Sequence, residues 1–146
     1  MIKSYRGLLA DDGQERIRLG TPNGKTGYRI VKFEVISTTP GATADESVVK
    51  IYKLEQTAVD ATIDFSDSTL LGCGYWSGAT SSGSPATMNI IFESEIFNQD
   101  IYITHKNASG ATPGDTACNF YLELEQIKLN EVEALVSIVK NLRTEQ

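Results

Sequence analysis

Residues 28 to 36 read YRIVKFEVI, and the spacing of the apolar side chains in this stretch restricts the fold more than any motif in the chain. In an extended strand Arg29, Val31, Phe33 and Val35 share one face, and Tyr28, Ile30, Lys32, Glu34 and Ile36 share the other. The first set carries three large apolar residues in register, so Val31, Phe33 and Val35 are predicted to point inward. The same period of two returns in VVKIYKLEQ, where Val49, Ile51 and Leu54 fall close to one face, and in DIYITHK, with Ile101 and Ile103. It is plainest in NFYLELE, where Phe120, Leu122 and Leu124 oppose Tyr121, Glu123 and Glu125. A chain patterned this way builds sheets.

Turn chemistry separates the runs. Residues 2–9 and 15–19 flank ADDGQ, whose Asp-Asp-Gly predicts a first hairpin. TPNGKTG and TTPGATADES bound the strand that follows. TAVDATIDFSDS is a turn-rich connection with room for a short strand at Ala61–Phe65. TLLGCGYW is a compact apolar run whose two glycines fit a bulge or a close backbone approach. SGATSSGSPAT, from Ser77 to Thr87, and NASGATPGD hold nothing that fills a core and read as exposed loops. About eight strands spaced roughly ten to fifteen residues apart, with no helix between them, predict an antiparallel β-sandwich, most simply a jelly roll, over residues 1–129.

The period changes only in the last segment, residues 130–146. Asn130 can cap a helix, Glu133 takes the third helical position, and Val132, Leu135, Val136, Val139 and Leu142 recur at steps of three and four. An amphipathic helical arm is predicted, with those five side chains as a candidate assembly interface. The chain need not bury such a stripe on itself, so a second copy is an expected partner.

With 13 Lys and Arg against 19 Asp and Glu the formal charge is −6, which repels phosphate backbones and argues against nucleic acid. No apolar run approaches the roughly 20 residues a membrane span needs, and Asp11 and Asp12 follow too soon after the first apolar patch for a signal-peptide core. Synthesis in the cytoplasm without a secretion step is expected, with any exit by assembly or lysis.

The residue types that carry chemistry are sparse. His105 is the single histidine, and it shares the parity of Ile101 and Ile103 near the end of its strand, which reads as a rim position with no partner to complete a site. Pairing of the strands around residues 103 and 119 would bring Cys118 to it as a Cys-His dyad, but no third group is visible. Cys73 and Cys118 lie 45 residues apart and read as buried free thiols. One histidine and the acids of Asp11-Asp12 and Asp64–Asp67 do not make a metal site; DFSDS reads as a turn with Asx caps. Gly72-Cys73-Gly74 precedes no helix and so is no nucleotide fingerprint. Asn107-Ala108-Ser109 has the glycosylation pattern but reads as a polar turn. Tyr75 and Trp76, beside the Ser/Gly loop, are a candidate surface site for a sugar. No catalytic residue, metal or cofactor is expected.

The phrases MIKSYRGLLADDGQERIRL, TGYRIVKFEVI, VVKIYK, DFSDSTLL, FNQDIYITH and FYLELEQIKLNEVEALVSIVKNLR resemble a group of small proteins of tailed bacteriophages that infect marine bacteria. The likeness spans almost the whole chain and carries no catalytic motif. It implies a virion structural component: a head decoration or cement protein contacting other virion proteins, the major capsid protein first among them, or a tail or fibre component contacting the host surface.

Overall fold

The computed structural model describes residues 1–20, 25–38, 40, 45–78, 86–108 and 117–129. Within them the chain forms eight strands: β1 (Ile2–Leu9), β2 (Gln14–Ile17), β3 (Thr26–Ser37), β4 (Glu46–Tyr52), β5 (Leu70–Ser77), β6 (Ala86–Ile91), β7 (Ile101–Asn107) and β8 (Cys118–Lys128). They make two antiparallel sheets, one of three strands in the order β1-β8-β3 and one of five in the order β2-β7-β4-β5-β6. All-β architecture in two layers follows from the alternation: each sheet has one apolar face, and the two faces bury each other.

The core is a single cluster that includes Leu9, Ile30, Phe33, Val35, Val49, Ile51, Ile101, Ile103, Phe120, Leu122 and Leu124. Of the side chains that the alternation places inward, Phe33, Val35, Val49, Ile51, Ile101, Ile103, Phe120, Leu122 and Leu124 are buried, while Leu54, beyond the end of β4, and Val31 are only partly so. Ile30 pairs with Leu124 and Lys32 with Glu123, so Val31 is an extra residue that β8 does not match. This bulge reverses the parity of β3. Tyr28 and Ile30 point inward before it, Phe33 and Val35 after it, and Val31 is left half-buried.

The predicted first hairpin does not form. β1 pairs with β8 and β2 with β7, so the Ala10–Gly13 turn carries the chain from one sheet to the other. The turn chemistry is present, with Asp12 at φ 63° and the Gly13 amide donating to the Ala10 carbonyl at 2.9 Å. Crossing between layers lets Leu9 and Ile17 enter one core from opposite sheets. β7 and β8, whose pairing would bring Cys118 to His105 as a dyad, are likewise in different sheets. No strand forms at Ala61–Phe65.

A regular jelly roll sets β1-β8-β3-β6 against β2-β7-β4-β5. Seven strands keep that order here, while β6 stays hydrogen-bonded to β5 and leaves β3 as an edge strand. Near Tyr28 that edge is closed by Phe97, through reciprocal backbone bonds of 2.8 and 3.0 Å and stacked rings. At the other end, around Val35 and Ile36, β5 and β6 lie against β3.

The two glycines of β5 are places of close approach, as expected. A Cβ on Gly74 would stand 2.8 Å from Asn89 Oδ1 and 3.0 Å from Val35 Cγ1, and one on Gly72 would stand 3.1 Å from the Ile90 carbonyl. Residues 130–146, with the predicted helix and its five-residue stripe, lie outside the described residues, as do 79–85 of the expected loop from Ser77 to Thr87.

Candidate functional site

His105 is not on the rim. Its side chain is fully buried, and Nδ1 lies 3.0 Å from the Leu9 carbonyl and 3.1 Å from that of Ala10. Two carbonyls can only accept, so Nδ1 carries a proton and donates to them. The His105 amide donates to the Gly13 carbonyl at 2.9 Å, so backbone and ring together hold the crossing turn against β7. Nε2 is buried with no hydrogen-bond partner among the described residues. The histidine is a staple between layers.

Cys118 lies at the same end of the sandwich, opposite Leu9 on one side and Ser37 on the other. The thiol is fully buried, and burial pushes its pKa up to about 12, opposed weakly by contact with Ser47. A thiol held in that state is no nucleophile at neutral pH. The dyad geometry is absent as well, for no bond between His105 and Cys118 is present among the described residues. Cys73 is the second buried free thiol, raised by burial, and it stands opposite Lys50 on the other face of the five-stranded sheet.

That outer face is covered by residues 53–69. Lys50, buried on β4, donates to Asp60 Oδ1 at 2.7 Å and to the Thr62 carbonyl at 2.6 Å, and its ammonium lies over the Tyr52 ring. Burial alone would lower the Lys50 pKa, but the bonds to Asp60 and Tyr52 outweigh it and raise it. Lys53 reaches Glu95 at 3.1 Å, and Gln14 and Gln56 exchange bonds across the same layer. Asp64 and Asp67 cap turns at Ser66 and Thr69. Asp12 pairs with Lys106, and Asp11 accepts from the Asn107 amide. Asn107 donates to Asp45 through its side chain. No group of three potential metal ligands occurs among the described residues, and no described helix is long and apolar enough to cross a membrane.

Tyr75 and Trp76 do not form one platform, because neighbours on a strand point to opposite faces. Tyr75 is half-buried on the outer side, between Val48 and Met88. Trp76 turns inward, joins the core, and borders a groove of about 750 Å³. The groove runs over the outer face of the three-stranded sheet and past the edge of β3 to Thr87 and Asn89. Two cross-strand rows make its floor. Leu8, Asn119 and Ile36 stand side by side, and next to them Arg6, Tyr121 and Glu34. Leu8, Ile36 and Tyr121 are exposed by 56%, 48% and 36%, large values for apolar side chains of this size. Apart from Trp76, sequence reasoning had nominated none of these residues. The signal available to it was an Ile and a Tyr on the outward parity of β3 and β8, and register alone shows that they meet.

No protein-family model matches this chain, and no curated protein matches it.

Proposed function

We propose that this chain is a non-enzymatic structural component of a bacteriophage particle, most simply a head decoration or cement protein that stabilises the capsid through contacts with the major capsid protein and with copies of itself. The observation that carries the reading is how the polar groups are used. His105, Lys50, Lys53, Asp60 and Asp12, the residues that chemistry would recruit, are spent on holding layers and turns together, and the Cys118 thiol is kept protonated. The seven-strand agreement with a jelly roll and the resemblance to phage proteins support the same class; a fold of this kind serves many roles, so it does not by itself choose among them. The C-terminal stripe of Val132, Leu135, Val136, Val139 and Leu142 is the assembly surface in this reading, and the finished protein resides in the virion. Counting copies per purified particle by quantitative mass spectrometry tests it. Hundreds of copies support the head position, and absence from the particle overturns the proposal.

A second reading, a tail or fibre component that contacts the host surface, is favoured by the groove over the three-stranded sheet. A few to a few dozen copies per particle is its expected result.

A further inference from the structure

We infer that the groove over the three-stranded sheet is a binding site for a neutral saccharide, with Tyr121 as its stacking platform. The inference rests on the second reading for its biological setting, but the site is a property of the isolated chain.

The argument starts from hydrogen-bonding groups that the fold does not use. Some charged side chains elsewhere on the surface are paired, Arg16 with Asp100, Arg29 with Glu125 and Lys106 with Asp12. Those on the floor of the groove are not. Among the described residues the side chains of Arg6, Glu34, Asn89 and Asn119 make no hydrogen bond or ion pair. Arg6 and Glu34 flank Tyr121 directly, one on each neighbouring strand, and Asn119 lies between Leu8 and Ile36 in the next row.

This set selects among ligand chemistries. An anion would meet Arg6 and Lys32 but also Glu34 and, opposite Lys32, Glu123, on a chain whose formal charge is −6, so phosphate, nucleotide and acidic sugar are disfavoured. A purely apolar occupant would desolvate four polar side chains and give them nothing in return. A neutral sugar ring fits both parts of the surface. Its C–H face lies on Tyr121, Leu8 or Ile36, and its hydroxyls, each a donor and an acceptor, can bond a guanidinium, a carboxylate and two carboxamides together. The volume, about 750 Å³, is in the range of small-molecule sites and accommodates one or two sugar rings. Lys32 stands 5.9 Å from the Tyr121 ring centre, an exposed contact that a ligand displaces at small cost.

The test is a titration of the full chain, followed by amide and side-chain NMR shifts, with lactose, maltose and N,N′-diacetylchitobiose as neutral probes and sialyllactose as the charged control. The expected result is a saturable shift of the Tyr121, Asn89 and Asn119 signals with at least one neutral probe. Tyr121→Ala should weaken that binding roughly tenfold or more with no change in thermal midpoint, and Tyr121→Phe should keep it. Three results overturn the site: no saturable response to any neutral probe, a response that survives Tyr121→Ala, or shifts of the same signals with protein concentration alone, which would make the face a contact between copies. Copy number in the particle is measured separately, so a failed titration and a failed assignment to the tail are distinguishable.

Discussion

The Nδ1–H of His105 donates to the Leu9 carbonyl at 3.0 Å, joining β7 of one sheet to β1 of the other across 96 positions of sequence. A staple of this kind has a stability signature and no catalytic one. His105→Ala should cost about 2–4 kcal/mol, because it opens a cavity and takes the ring N–H away from the buried Leu9 carbonyl. His105→Gln, which keeps an N–H donor on a side chain of similar length, should cost less. Urea denaturation of the two variants checks the order, and equal losses would show that the ring fills space and does no more.

Lys50 and Asp60 make a pair whose pH dependence has a definite sign. The hydrogen bond from Lys50 holds the Asp60 carboxyl below its ordinary pKa. A depressed acid contributes stability that is present above its unfolded value and is lost as pH falls through the folded one. The Lys50 ammonium is raised, so its share is present below the ordinary lysine value and is lost as pH rises through the folded one. Asp60→Asn should therefore flatten the acid limb of a thermal-midpoint profile relative to the unchanged chain. The loss at neutral pH should exceed that of an ordinary exposed pair, since it takes the neutralising carboxylate charge away from a buried ammonium. A profile parallel to that of the unchanged chain would contradict the pairing.

Gly74 faces Phe33 and Val35 across the core, and a methyl group there would come within 2.8 Å of Asn89 Oδ1 and 3.1 Å of the Phe33 ring. Gly74→Ala is expected to destabilise the fold by about 1–3 kcal/mol, through overpacking rather than backbone strain. A calorimetric melt measures it, and a gain in stability would mean that β6 gives way freely.

How much of this was legible in the sequence depends on what each feature is made of. Alternation places Phe33, Val35, Ile51 and Leu122 in the core because a strand has only two faces. Val31 escapes that logic, since a bulge leaves no mark in the residue pattern and is defined by the partner strand. Asp-Asp-Gly specifies a turn but not which sheet receives the next strand, so a predicted hairpin became a crossing between layers. The role of His105 was out of reach for a similar reason: its partner is a backbone carbonyl, which no side-chain motif announces. The groove belongs with these, as Arg6, Tyr121 and Glu34 are neighbours only through register.

Cys118 and Cys73 should resist labelling by iodoacetamide in the folded chain. Burial raises both thiols, Cys118 to about 12, so little thiolate exists near neutral pH and neither sulfur is accessible. Intact mass spectrometry over time is expected to show modification only at the rate of unfolding, and rapid labelling of Cys118 would reopen the case for a reactive site beside His105.

Removing residues 130–146 separates the folding unit from its proposed assembly surface. The sandwich closes at Leu129, whose side chain is buried and whose amide donates to the Lys25 carbonyl at 2.7 Å, so every strand and every core contact described here survives the cut. The truncated chain should therefore melt cooperatively with a midpoint near that of the full chain. The lost stripe of Val132, Leu135, Val136, Val139 and Leu142 offers about 1.5–3 kcal/mol per fully buried side chain before ordering costs are subtracted, enough to hold a subunit in an assembly if another chain covers it. Sedimentation velocity and particle incorporation are expected to show loss of self-association and of occupancy. A truncated chain that keeps both would place the assembly surface on the sandwich itself. A truncated chain that fails to fold would show instead that the segment covers its own domain.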